Sequence, residues 1–250
     1  MNELFDRDRI RIKPLSERKN KVDIERDHVD ISTYTVKLSP EAEAHVARAA
    51  EDIKRARKAH APVMLAFGAH SIKNGLTPVF TSLIEKGWVT HLATNGAGII
   101  HDWEFAFQGQ SSEDVRANVA EGQFGIWEET GFYINLALLI GAYRGLGYGE
   151  SIGAMVQQDG LLVPEESELS EAVAKGLSKE ARYEDGQRAA AALDLRSAMQ
   201  KFGIEPGFIE IKHRHKEFGL QASAFRMGVP FTGHPMFGHD IIYTHPLNTG

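Results

Sequence analysis

Four groups of residues combine types and spacings that can do chemistry. The first is Thr94-Asn95-Gly96-Ala97-Gly98, which directly follows an apolar run of strand length. Two glycines let the backbone approach a phosphate, and a helix starting there offers unpaired N–H groups and the positive end of its dipole. The same residues suit a tight turn, and their spacing is not the Gly-x-Gly-x-x-Gly of dinucleotide-binding turns. The second group is Ala66 to Gly75, where His70, Ser71, Lys73 and Asn74 can touch a cofactor or substrate, or simply form a polar loop. The third is acidic: His101-Asp102-Trp103-Glu104 and, far along the chain, Asp240. Carboxylates beside an apolar wall hold amines or act as bases with shifted pKa, although near a helix start they equally complement the dipole. Asp102 and Glu104 are two apart and do not share a helix face. The fourth group is His213, His215, His234, His239 and His245, five of the eleven histidines. On a strand, His213 and His215 would point to one face, as metal ligands do. Lys212, Arg214 and Lys216 around them oppose a divalent cation, so no metal centre is expected. There is no Gly-x-Ser-x-Gly elbow and no phosphate-binding P-loop.

The elements that must position these residues are legible in the pattern. Residues 1–38 mix dense charge with short apolar alternations (Ile10, Ile12; Val29, Ile31, Tyr34, Val36), which predicts extended segments lying on a surface. Ser39-Pro40 opens a helix to about Lys58, the serine as cap and the proline in the first turn. Pro62–Phe67 is a strand, followed by a small-residue turn at Gly68–Ser71 and a helix from Thr77-Pro78 to Lys86. Val89–Ala93 is a second strand, and residues 99–107 are helical. Strand–loop–helix twice in succession predicts a parallel sheet with helices on its faces. Ser111-Ser112 before Glu113-Asp114 predicts a helix start. Residues 125–144 form an apolar helix. Residues 148–203 are mostly helical, with a charged stretch at 164–188 that reads as an exposed insertion. Gly207–Lys212, Val229–Phe231 and Asp240–Thr244 read as strands around a helix at 216–227.

Composition bounds the function classes. The chain has 250 residues, 42% of them hydrophobic, with a net charge of −6. That length suits one α/β domain or two small ones. A mild acidic excess argues against general nucleic-acid binding, for which a basic footprint is expected, and suits a cationic ligand. The absence of cysteine excludes disulfides, thiolate-bound metal and thiol nucleophiles. The charged N-terminus has no apolar segment of the signal-peptide kind. The longest apolar run, about Ile134–Tyr143, is too short for a bilayer, which needs about 20 residues. The expected location is cytoplasmic, with no membrane partner.

Three segments, in the same order, resemble deoxyhypusine synthases. Leu92-Ala-Thr-Asn-Gly-Ala-Gly-Ile-Ile-His-Asp102 resembles their Thr-Thr-Ala-Gly-Gly-(Val/Ile)-Glu-Glu-Asp segment. Ala69-His-Ser-Ile-Lys-Asn-Gly75 stands where they have Ser-Asn-Leu-Ile-Ser-Ser-Gly. Gly228-Val-Pro-Phe231 with Gly238-His-Asp-Ile-Ile-Tyr-Thr-His245 is similar to their Ile-Pro-Val-Phe and Leu-Gly-Asp-Met-(Ile/Leu)-Phe-Phe-His segments. The resemblance implies a Rossmann-like parallel sheet with helices on both faces, an NAD-binding domain over 39–250, and assembly as a homotetramer or dimer. It implies NAD-dependent dehydrogenation of spermidine and transfer of the aminobutyl group, through an enzyme lysine imine, to a protein lysine. His70, Asn74, Thr94, Asn95, Gly96, Ala97 and Gly98 would then lie along NAD. Asp240, with Asp102, would hold the polyamine. Ile100 and His101 replace the family's two glutamates, one of them a functional acid, which makes His101 the candidate base. The chain ends before the segment that carries the family's catalytic lysine, so either it is a C-terminally truncated fragment or the protein lacks that lysine. A related transfer to a small diamine, a non-catalytic NAD-binding or assembly subunit, and a metal-dependent enzyme using the C-terminal histidines are the alternatives.

Overall fold

The structure is a computed structural model that describes residues 6–33 and 36–248. It is α/β. Strands β2 (Met64–Phe67), β3 (His91–Asn95) and β7 (Phe231–His234) form a parallel sheet in the order β2-β3-β7. The register pairs Leu65 with Leu92 and Leu92 with Phe231, so these apolar side chains line one face. Phe67 joins them there, with ring centroids 4.8 Å from Phe80 and 6.0 Å from Phe231. That face packs into the core through helices α3 (Ala69–Lys73), α4 (Thr77–Glu85), α5 (Gly96–Gln108), α8 (Tyr148–Gln158) and α11 (Leu220–Met227). The opposite face does not carry the expected second layer: Met64 is 61% exposed and Ala66 is also exposed. Helix α2 (Pro40–Lys58) is capped by Ser39 as the pattern requires, yet it contributes no buried residue.

Core formation centres on α5 and on α7 (Glu128–Arg144). Trp103, Phe105, Ile99, Ile134, Leu136 and Ile140 are fully or almost fully buried. Full burial of each such side chain stabilises by about 1.5–3 kcal/mol. Helices α9 (Glu166–Gly176) and α10 (Tyr183–Phe202) pair with each other and dock on α7, burying Leu169, Ala192, Leu195 and Ala198. Much of the charged stretch at 164–188 is therefore the outer side of a packed helical pair, not an insertion. Its charges meet as Lys175–Asp185 at 2.7 Å and Arg196–Glu166 at 2.5 Å.

Three further expectations are corrected, the first of them in part. The N-terminal segment lies only partly on the surface: Ile31 and Val36 are exposed as expected, but other parts of it enter the core. Its strand β1 (Asn20–Asp23) pairs antiparallel with β4 (Gln110–Glu113), and Leu15, Arg18 and Ile24, the last in the short helix α1 (Ile24–Asp27), are buried. Tyr34 lies outside the described residues. Ser111 and Ser112 belong to β4 and start no helix; α6 (Val115–Ala120) begins after Asp114, whose side chain accepts from the Ala117 N–H. Residues 148–203 are mostly helical, as expected, and also hold strand β5 (Gly160–Val163), antiparallel to β6 (Gly207–Glu210). The apolar run after Asp240 forms a 3₁₀ turn at Ile241–Tyr243 rather than a strand. In each case local propensity yielded to the partner that packing supplied. Among the described residues no helix is long and apolar enough to cross a membrane.

Candidate functional site

The carboxyl ends of β2, β3 and β7 lead to residues 68–74, 95–98 and 235–240, the edge where open parallel sheets place ligands. A pocket of about 150 Å³ lies beside this edge and opens to solvent. Its wall includes Lys73, Ala97, His101, Glu104, Glu113 and Asp240, with Ile100, Val115, Phe124 and Ile241 as the apolar part. Three sequence candidates, Ala97, His101 and Asp240, thus meet in one cavity although Asp240 lies far along the chain.

His101 is on the second turn of α5. Its Nδ1 is 2.6 Å from Ser111 Oγ. Burial pushes its pKa down to about 4; nearby Lys73, Arg18 and His70 act in the same direction, and Glu104 opposes them. The imidazole is therefore neutral at pH 7. Glu104, one turn further on, is completely buried. It receives both terminal nitrogens of Arg18 at 2.7 and 2.6 Å, Thr130 Oγ1 at 2.9 Å and Ser111 Oγ at 2.5 Å. Burial works against its charge, but the Arg18 guanidinium outweighs it and holds the carboxyl below its ordinary range. Such a bidentate pair is the strong form of charge-assisted hydrogen bond. Glu113 lines the same wall, accepts from Asn118 Nδ2 at 2.6 Å, and is pushed up in pKa chiefly by burial. Ser112, between Ser111 and Glu113, is buried and sits at φ 71°, in the left-handed region that non-glycine residues rarely adopt. Strain of this kind concentrates at functional sites.

Asp240 lies over the start of α5. A Cβ on Gly96 would come 2.7–2.8 Å from the Asp240 carboxylate, so only glycine allows this approach. One oxygen, Oδ2, accepts from the Met236 N–H. Asn95 caps α5 by accepting from the Gly98 N–H at 2.9 Å. Thr94 is buried and donates to the Phe67 carbonyl at 2.8 Å, and Gly98 packs against the Thr94 hydroxyl. Thr94–Gly98 is therefore a strand running straight into a capped helix. A pyrophosphate at this N-terminus would confront the Asp240 carboxylate and find the Gly98 N–H already taken. The turn as folded does not fit the phosphates of NAD. His70 and Asn74 are exposed on α3 and at its C-cap, near the same edge.

Asp102 is the candidate the fold takes away from the pocket. It is almost fully buried and faces α11, accepting from the Leu220 N–H at 2.8 Å, the Gln221 N–H at 3.0 Å and Gln221 Nε2 at 3.0 Å. Its work is to cap a helix across the core, not to hold a ligand. The C-terminal histidines also separate. His213 and His215 follow β6 in a turn; His213 receives the Trp103 indole N–H at 3.1 Å inside the core, and His215 pairs with Glu25 at 3.0 Å. His245 lies 3.4 Å from Glu128, His234 is on the exposed sheet edge, and His239 reaches the pocket. Among the described residues no group of three His, Cys, Asp or Glu side chains is placed to hold a metal ion.

Sequence reasoning missed Arg18, Ser111, Ser112 and Glu113. The antiparallel pairing of β1 with β4 brings the N-terminal segment carrying Arg18 to the strand that holds Ser111–Glu113, and nothing in their local spacing marks it. No protein-family model, curated protein or solved structure matches the chain.

Proposed function

We propose that the pocket binds the ammonium end of an aliphatic amine, a polyamine such as spermidine or a smaller diamine. The observation that carries this reading is the charge of the wall. Arg18 is neutralised by Glu104, His101 is neutral, and Lys73 is outnumbered by the carboxylates of Glu113 and Asp240. An excess of negative charge beside Ile100, Val115, Phe124 and Ile241 matches a cationic group on a methylene chain. His101 is the candidate catalytic residue, as a base or hydrogen-bond acceptor, and Asp240 the candidate substrate-binding carboxylate.

The wider reading is a deoxyhypusine synthase-like transfer of an aminobutyl-type group from the polyamine to an amine acceptor, on a Rossmann-like fold in a homo-oligomer. It rests on the resemblance of the three segments. NAD would supply the oxidising equivalent for such a transfer, although the start of α5 does not favour its phosphates. The exposed face of the β2-β3-β7 sheet is consistent with assembly, because parallel sheets are ordinarily covered on both sides.

The test is calorimetric titration with spermidine, with and without NAD. Micromolar to low-millimolar spermidine binding that weakens at least tenfold in Asp240→Ala and Glu113→Gln is expected. A folded protein that shows no binding at 10 mM, or variants indistinguishable from the parent, would remove the amine reading. Binding of NAD strengthened by spermidine would support the transferase class.

A further inference from the structure

We infer that Ser111 and Glu104 are positioning residues that lock His101 in the Nδ1–H tautomer, so that the pocket presents a lone pair at Nε2 and selects ligands that donate a hydrogen bond there. The inference rests on the pocket being a ligand site, as proposed above, and it adds which end of a ligand His101 accepts.

The hydrogen-bond inventory leaves one arrangement. The Glu104 carboxylate is ionised and fully occupied: Arg18 and Thr130 on Oε1, Arg18 and Ser111 on Oε2. An ionised carboxylate only accepts, so the single hydroxyl proton of Ser111 points to Glu104. Ser111 Oγ can then act toward His101 only as an acceptor. His101 Nδ1 is 2.6 Å away and must carry the proton in that bond. A neutral imidazole has one N–H, so Nε2 holds a lone pair, and it has no partner among the described residues. The imidazole stays neutral because burial, Lys73 and His70 from α3 and Arg18 from the N-terminal segment all oppose its protonation. Glu104 on its own helix opposes them. Glu113 and Asp240 face the same cavity and would favour a cation in it.

The consequence is chemical selectivity. An ammonium, amide N–H or hydroxyl can donate to Nε2. A carboxylate or carbonyl oxygen meets a lone pair there, and the two acidic side chains nearby add to its exclusion. The fixed tautomer thus works with the wall charge: Glu113 and Asp240 attract a cation, and His101 Nε2 gives one of its N–H groups a direction. Ser112, at φ 71°, lies between Ser111 and Glu113 in the chain.

The experiment is a long-range proton–nitrogen NMR correlation on protein labelled with ¹⁵N-histidine at pH 7, with the His101 signals assigned by their loss in His101→Gln. The expected result is a pyrrole-like Nδ1 and a pyridine-like Nε2 in the parent. Ser111→Ala is expected to convert this to a mixture of tautomers, and Ser111→Thr, which keeps the hydroxyl, to restore it. A pyrrole-like Nε2 in the parent overturns the inference even if neither variant folds, and an unchanged tautomer in a folded Ser111→Ala does the same. Addition of spermidine is expected to move the Nε2 resonance, while butyrate at equal concentration leaves it in place. Spermidine bound by calorimetry without movement of Nε2 overturns the donor role at His101. Absence of spermidine binding with the expected tautomer intact removes the amine reading and leaves the tautomer assignment standing.

Discussion

Arg18 and Glu104 form the most consequential pair of single residues. Their side chains are 2% and 0% exposed and meet at 2.6 Å. Removing one partner of a buried pair leaves a charge without compensation, which costs about 3–5 kcal/mol. Arg18→Met is therefore expected to lower the unfolding free energy by about that amount in a urea titration; a loss under 1 kcal/mol would mean that water reaches Glu104. Lysine at position 18 is expected to recover only part, because it cannot supply the two-pronged geometry. The pH dependence is also set by single residues. Burial pushes His101 and His213 down to about 4, whereas an unfolded histidine titrates near 6.5. Between about pH 4 and 6.5 the unfolded chain binds more protons, so stability is lost as pH falls, at up to about 1.4 kcal/mol per pH unit for each histidine. Asp102 acts oppositely: burial raises it to about 6, so its contribution declines as pH rises from about 4 to 6. Glu113, also raised by burial, acts with Asp102, and His245, also lowered by burial, acts with the two other histidines. Three groups outweigh two, and thermal unfolding at constant ionic strength should show a midpoint that climbs from pH 4 to 6.5. A midpoint that falls across that interval would contradict the assignment.

Among the elements, α5 decides the site and the β3–α5 junction decides α5. Asn95→Ala removes the side-chain cap from this helix and is expected to cost about 1 kcal/mol. Gly98→Ala pushes a methyl group into the Thr94 hydroxyl in a packed interior, an overpacking worth about 1–3 kcal/mol. Gly96→Ala first meets the Asp240 carboxylate, a side-chain end that sits in a loop, so it is expected to leave stability within about 1 kcal/mol of the parent. Its effect should fall on spermidine affinity, measured beside the Asp240 variant. Helix α2 gives the opposite case. Its cap, proline and length were all legible in Ser39-Pro40 and the pattern to Lys58, and all three are present. Yet none of its residues is buried, because a capping signal reports where a helix begins and not what it packs against. Hydrogen exchange should show α2 amides exchanging far faster than those of α5 or α7; equal protection would place a partner over it.

At the scale of the whole molecule, the N-terminal segment ties the ends of the site together. Lys13 bonds to the backbone at Ile126 and Glu128, Arg18 to Glu104, and Arg7 to the Tyr243 carbonyl. The sheet keeps one covered and one open face, with the pocket at its carboxyl edge. By itself the sequence determined the elements whose signals are local. It marked the capped helix at Ser39, the two apolar strands with their helices, and the glycine turn at 94–98 where a strand becomes a helix. It also singled out His101 and Asp240, which the pocket brings together. Tertiary structure alone decided the rest. Asp102 and His101 are adjacent in sequence, but one faces α11 and the other the pocket, because successive helical residues point about 100° apart. Ser111 became a strand residue because β1 was there to pair with it. Arg18 reached Glu104 because a buried carboxylate needs a counter-ion, and the fold, not the spacing, brought one across the chain.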